Sequence, residues 1–337
     1  MRIVRILGFP VAVVYGLVVH IRNFLFDRGL LASRSFKTPT ICVGNLSVGG
    51  TGKTPMIEYL VRLLAKDHKV AVLSRGYKRK STGFQLAHVG SDAYQLGDEP
   101  FQIHKKFPEI TVAVDANRTH GIVTLENKVQ PDIILLDDAF QHRKVVPSLA
   151  ILLTAYDQLF YDDFYLPTGS LRDAKNQKNR ADIIVVTKCP KDLPQKEQNA
   201  IVAMMKTVRP VFFTYLDYDQ GVRSTNGNLS YKDIEGKKIG LVTGIANPKP
   251  MVDFLKGKGV DFTHHAFADH HFFSEKELNR FKQFDVILTT EKDYVRLGDK
   301  VPHAYYVGVR HQFIPSHGIG FNTILAEKLK NHLVSWP

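Results

Sequence analysis

Residues 44–55 read GNLSVGGTGKTP, a glycine-rich stretch between an apolar run and a segment of helical periodicity. Glycine-rich turns let backbone N–H groups converge on an anion, and a helix that starts directly afterwards adds the positive end of its dipole. The usual phosphate-loop pattern is GxxxxGK[ST] in a strand–turn–helix context. Gly52, Lys53 and Thr54 fit it, Ser47 stands at the first glycine position, and Val48, Gly49, Gly50 and Thr51 fill the loop. In that role Lys53 reaches the β and γ phosphates of a nucleoside triphosphate and the Thr54 hydroxyl ligates Mg²⁺. The apolar run PDIILLDD, 131–138, ends on Asp137 and Asp138, one of which is expected to hold the metal directly or through water.

These groups need a scaffold that brings loop and carboxylates to one edge. Apolar β-forming runs at 38–45, 69–75, 110–115, 131–138, 148–154 and 181–188 alternate with helical segments such as 55–67 and 194–208. Runs apolar at successive positions imply strands covered on both faces, and the alternation implies a parallel sheet whose ligands bind at the carboxyl ends of its strands. The expected fold is α/β: a phosphate-loop domain with a doubly wound, mostly parallel sheet over residues 1–209, a β-hairpin linker over 210–235 built around Asn226-Gly227, and a smaller α/β domain over 236–337.

Composition narrows the partners. Forty-five Lys and Arg against 33 Asp and Glu give a net charge of +12, which favours an anionic partner: nucleic acid, an acidic lipid surface or a phosphorylated small molecule. Only Cys42 and Cys189 are present, outside any CxxC pattern, so neither a disulfide framework nor a thiolate zinc site is indicated. Between Arg5 and His20 lie fourteen uncharged residues, ILGFPVAVVYGLVV, fewer than the roughly 20 a spanning helix needs. A buried core helix and an interfacial amphipathic helix both remain open for this segment.

With loop and acidic strand in place, further segments gain meaning: SRGYKR (74–79), GDEP (97–100), VDANRTHG (114–121), DDAFQHR (137–143), LPTGSLRD (166–173), TGIANP (243–248), ADHHFF (268–273) and TEKD (290–293). Together and in this order they resemble the tetraacyldisaccharide 4'-kinase family of lipid A biosynthesis, over about residues 1–330. That family's own loop reads GN followed by GGxGKT, so Ser47 is ordinary in it; Ala139 departs from its usual DDGFQH. The resemblance implies ATP and Mg²⁺ as cosubstrates, an acylated glucosamine disaccharide 1-phosphate as acceptor through its 4'-hydroxyl, and a peripheral position against the anionic cytoplasmic face of the bacterial inner membrane. It implies no nucleic acid and no obligate protein partner. Asp98 resembles the family's catalytic aspartate and His270 the histidine paired with it.

An attacking hydroxyl benefits from a group that accepts its proton, which suits Asp98 with His270 steadying it. Gln141 and His142 are expected to shape the nucleotide pocket. Arg75, Arg118 and Arg172 are candidates for phosphate, which a guanidinium grips through two parallel hydrogen bonds, with Arg172 assigned to the nucleotide. Asp173 is a further candidate for the metal shell. The histidines of THHAFADHH lack cysteine or HExxH spacing and do not read as zinc ligands. A guanine-nucleotide switch needs NKxD after a strand, and VVTKCP lacks the aspartate; a nucleic-acid binder is supported by charge alone.

Overall fold

In a computed structural model that describes residues 8–335, strands form where the apolar runs predict them. They are β1 (Thr40–Asn45), β2 (Val70–Ser74), β3 (Gln85–Leu86), β4 (Thr111–Val114), β5 (Ile133–Asp137), β6 (Leu149–Ala155), β7 (Ile183–Thr187) and β8 (Val211–Tyr218). There follow β9 (Gly221–Ser224), β10 (Gly227–Ser230), β11 (Ile239–Thr243), β12 (Thr263–Ala266), β13 (Val286–Thr290), β14 (Ala304–Val307) and β15 (Val309–Phe313). Every residue of β1, β2, β5, β6 and β7 is buried, as strands flanked by helices on both faces require.

The larger sheet runs β15-β8-β7-β6-β1-β5-β2-β4-β3, parallel except at its two edges. β1 lies between β5 and β6, with Val43 opposite Asp137 and Asn45 opposite Leu153, so the chain leaving β1 emerges where connections depart to opposite sides. Such a switch point opens a crevice at the carboxyl edge. The helix Lys53–Leu64 turns Met56, Ile57, Leu60, Val61 and Leu64 inward, at helical spacing, onto Ile41, Val43 and Leu135. Ile122 and Leu125 of the helix Arg118–Lys128 cover the other face. The smaller sheet runs β10-β9-β14-β13-β11-β12, with four parallel strands and the β9–β10 hairpin as its antiparallel edge.

The domain limits differ from the expected ones. Val211–Tyr218, read as part of a linker, is the eighth strand of the larger sheet, parallel to β7. The Asn226-Gly227 hairpin belongs to the smaller sheet. The chain then returns at Val309: β15 pairs antiparallel with β8, and Phe321, Leu325 and Leu329 of the helix His317–Ser335 enter the core under β1 and β6. Trimming fully buried Phe321 to alanine should cost about 3–5 kcal/mol. Two strand crossings, at Asp219 and Gly308, thus replace a single linker; Asp219 N donates to the Gly308 carbonyl at 3.0 Å. A Cβ on Gly308 would lie 2.3 Å from the Asp219 carboxylate, so a larger residue there would displace that side chain. The pattern of β8 misled because its outer half, from Tyr215, is only partly buried on its way into the crossing.

Near the N-terminus, Pro10 sits in the first turn of the helix Phe9–Asp27, where a missing N–H costs nothing. Ile6 and Leu7, the start of the apolar run, lie outside the described residues. Ala12, Gly16, Val19 and Asn23 face the protein, whereas Phe9, Val11, Val13, Val14, Leu17, Val18, Ile21 and Phe24 are exposed. That distribution rules out a core helix.

Candidate active site

The loop after β1 is tied down on both sides. Val48 N donates to the Ser170 carbonyl at 2.7 Å, Asn45 Nδ2 to the Thr51 hydroxyl at 2.9 Å, and Gln141 Nε2 to the Asn45 carbonyl at 2.8 Å. Gln141 therefore braces the strand–loop junction. Gly49 (φ 117°) and Gly52 (φ 82°) take left-handed backbone angles that other residues rarely adopt. Gly52 caps the helix that begins at Lys53, and Val48, Gly49 and Gly50 are exposed at the crest.

Beyond the loop, β5 delivers both aspartates. Asp137 accepts from Ser74 Oγ at 3.0 Å, and Asp138, with φ 48°, meets Lys53 Nζ at 3.8 Å and both terminal nitrogens of Arg172. Desolvation opposes ionisation of Asp138, but Lys53 and Arg172 outweigh it and hold the carboxyl below its ordinary 3.8. Burial, then the charge of Asp138, push Asp137 up to about 6. Neighbouring carboxylates are hard oxygen donors of the kind Mg²⁺ takes, and Thr54 stands in the first turn of the helix that follows the loop. Mg²⁺ is usually completed by water and phosphate oxygens, and among the described residues no all-protein cage of three or more acidic, His or Cys side chains occurs.

The expected arginines separate. Arg118 is buried and donates to the carbonyls of Asp115, Ala116 and Asp137, so it braces backbone. Arg172 is engaged by Asp138 and Asn45. Arg75 is exposed, one residue beyond Ser74. Asp173 does not join the metal shell: fully buried, it accepts from Asn23 Nδ2 at 2.8 Å and anchors the N-terminal helix. Tyr15 donates to the Arg172 carbonyl and Arg22 to that of Gln141, so the same helix grips both motifs.

Asp98 opens the helix Asp98–Lys106, where the helix dipole favours its negative charge. His270 Nδ1 donates to Asp98 Oδ2 at 2.7 Å, joining residues from the two domains, and both side chains are buried. Lys292 Nζ lies 3.1 Å from His270 Nε2, which assigns the ring proton to Nδ1. Lys292 also pairs with Glu99 at 2.9 Å and Asp269 at 3.2 Å, and Arg296 stands 3.6 Å from Asp98. Desolvation works against the Asp98 charge; the His270 hydrogen bond and the positive charges of Arg296 and Lys292 prevail and depress its pKa below 3.8. Glu99 links the halves, since its charge also raises Asp137.

Behind the pair, fully buried Asp293 accepts from Gly244 N at 2.8 Å and from the Thr290 hydroxyl at 2.7 Å; the Gly244 carbonyl in turn accepts from His270 N. TGIANP, ADHHFF and TEKD thus form one support. Lys292, inside TEKD, and Arg296, three residues beyond it, are site residues that the sequence reading does not single out. Three of the four histidines of THHAFADHH go to separate partners: His264 to Thr243, His270 to Asp98 and His271 to Glu277.

Residues 4–330 match the model of the tetraacyldisaccharide-1-P 4'-kinase family. A tetraacyldisaccharide 4'-kinase of Flavobacterium johnsoniae is 49% identical over 99% of both chains. One of Bacteroides thetaiotaomicron is 46% identical over 86% of this chain and 82% of its own. The crystal structure of LpxK from Aquifex aeolicus in complex with ATP shares the fold with a TM-score of 0.80 and 27% identity, over 97% of this chain and 99% of that one.

Proposed function

The chain belongs to the tetraacyldisaccharide 4'-kinase family, and we propose how its residues carry out that family's reaction. The enzyme transfers the γ-phosphate of ATP to the 4'-hydroxyl of tetraacyldisaccharide 1-phosphate, forming lipid IVA. Phosphoryl transfer asks a protein mainly for positioning and charge neutralisation. The loop Ser47–Thr54, apart from the Val48 N–H taken by Ser170, supplies amides for the phosphates, with Lys53 against the outer ones. Thr54, Asp137 and Asp138 would hold Mg²⁺, which would neutralise charge on the phosphate oxygens. Arg172 keeps Asp138 ionised and oriented beside Lys53.

On the acceptor side, Asp98 takes the proton of the 4'-hydroxyl as that oxygen bonds to the γ phosphorus and the bond to the ADP oxygen breaks. His270 orients Asp98 through Nδ1–H, and Lys292 holds the imidazole in that tautomer. Arg75 is the arginine we assign to a substrate phosphate, since it is exposed beside Ser74 while Arg118 and Arg172 are already engaged. The apolar outward face of Phe9–Asp27 lies in the interface of the anionic inner-membrane leaflet, on its cytoplasmic side, while its inner face grips the Gln141 and Arg172 motifs.

The observation that carries this reading is that Glu99, paired with the Lys292 that contacts His270, also acts on Asp137, which brings Asp98–His270 within electrostatic reach of the Lys53–Asp138 side. Calorimetry with MgATP tests the loop: the wild-type protein should bind, and Lys53→Ala should bind at least about tenfold more weakly. Equal binding by the two would remove the loop from nucleotide recognition.

A further inference from the structure

His311 lies on β15, three residues beyond the Gly308 crossing, and is buried under the phosphate loop. Its Nε2 is 2.9 Å from the Gly52 carbonyl and its Nδ1 is 3.0 Å from Thr214 Oγ1 of β8. Burial drives its pKa down to about 4, so the ring is neutral at physiological pH. A carbonyl only accepts, so Nε2 carries the hydrogen and the Thr214 hydroxyl donates to Nδ1. One peptide earlier, Thr187 Oγ1 of β7 donates to the Thr51 carbonyl at 2.9 Å.

In a trans peptide the C=O and the following N–H point in opposite directions. Neither peptide is cis. Holding the Thr51 carbonyl from Thr187 therefore turns the Gly52 N–H away from the sheet. The Gly52 carbonyl already accepts the first helical hydrogen bond, from Met56 N at 3.1 Å, and His311 adds a second donor that fixes the peptide whose other side is the Lys53 N–H. Space enforces the contact as well: a Cβ on residue 52 would sit 2.7 Å from His311 Nε2.

We infer that His311 is a positioning residue for the nucleotide, acting through the Gly52 carbonyl to aim the Lys53 N–H at the phosphates. The strand that returns from the smaller domain thereby supports the loop that holds the donor. The inference rests on the loop's proposed role in binding ATP.

Asparagine at 311 reproduces the reach of Nδ1, whereas glutamine approximates that of Nε2 with an N–H donor. His311→Asn should raise the KM for ATP and the calorimetric Kd of MgATP about tenfold, leaving the KM for the lipid unchanged; H311Q should restore most of the affinity. Thr214→Val, which frees the imidazole to change tautomer, should weaken MgATP about threefold and gives an independent reading if H311N folds poorly. The inference is overturned if folded H311N binds MgATP like the wild type, if H311Q and H311N lose affinity equally, or if T214V has wild-type affinity. Absence of MgATP binding by the wild-type protein would overturn the nucleotide reading and this inference together.

Discussion

The proposed donor and acceptor halves of the site are held together differently. The loop, Asp137, Asp138 and Arg172 all belong to the larger domain, and the contacts bracing the loop come from neighbouring strands and turns. Asp98–His270 instead spans two domains, and its alignment depends on how the helix Glu291–Leu297 rests against Asp98–Lys106 through Lys292–Glu99 and Lys106–Glu291. A site for a substrate common to many enzymes can be built rigidly within one sheet; a site for a large lipid gains from elements that meet around it.

The largest effects should separate the halves. Lys53→Ala and Asp98→Asn should each lower turnover at least about 100-fold. Only the lysine variant should also lose MgATP affinity. Calorimetry beside a lipid kinase assay decides this, and an Asp98→Asn protein that loses nucleotide binding to the same degree would erase the distinction.

Lys292→Met should lower kcat about tenfold by releasing the His270 tautomer. It also removes a cation that depresses the Asp98 pKa, so that pKa rises and the acid limb of the pH–rate profile moves to higher pH. An unmoved acid limb would detach Lys292 from the pair. A smaller effect is expected at the membrane: Val14→Asp with Leu17→Asp should weaken flotation with anionic liposomes severalfold while MgATP binding stays unchanged. Unchanged flotation would remove this helix from bilayer contact.

The smallest effect concerns stability. The folded Asp98 pKa lies below 3.8, so its contacts contribute in full above the unfolded value and the contribution disappears as pH falls through the lower folded one. Asp98→Asn should therefore flatten the loss of thermal stability below about pH 4 and leave its pH dependence near neutrality unaltered.

What could be read from the sequence follows the same division. The loop, the apolar strands and the Asp137–Asp138 terminus are contiguous patterns, and local physics gives them meaning before any folding is known. Asp98 and His270 needed motif resemblance, since nothing local brings together residues 172 positions apart. The pairing of β15 with β8, the grip of His311 on Gly52 across 259 positions and the dual service of Lys292 depend on the chain returning to its first sheet, which alternation of apolar residues does not encode.

The central claim is that a triphosphate held by the loop presents its outermost group to a sugar hydroxyl activated by Asp98. It is tested most directly by loading the protein with γ-labelled MgATP, adding the acylated disaccharide 1-phosphate and locating the label in the product. The account predicts the label on the 4'-oxygen of the lipid in a single turnover. Label released only as inorganic phosphate, or retained in ATP while lipid is bound, would contradict it.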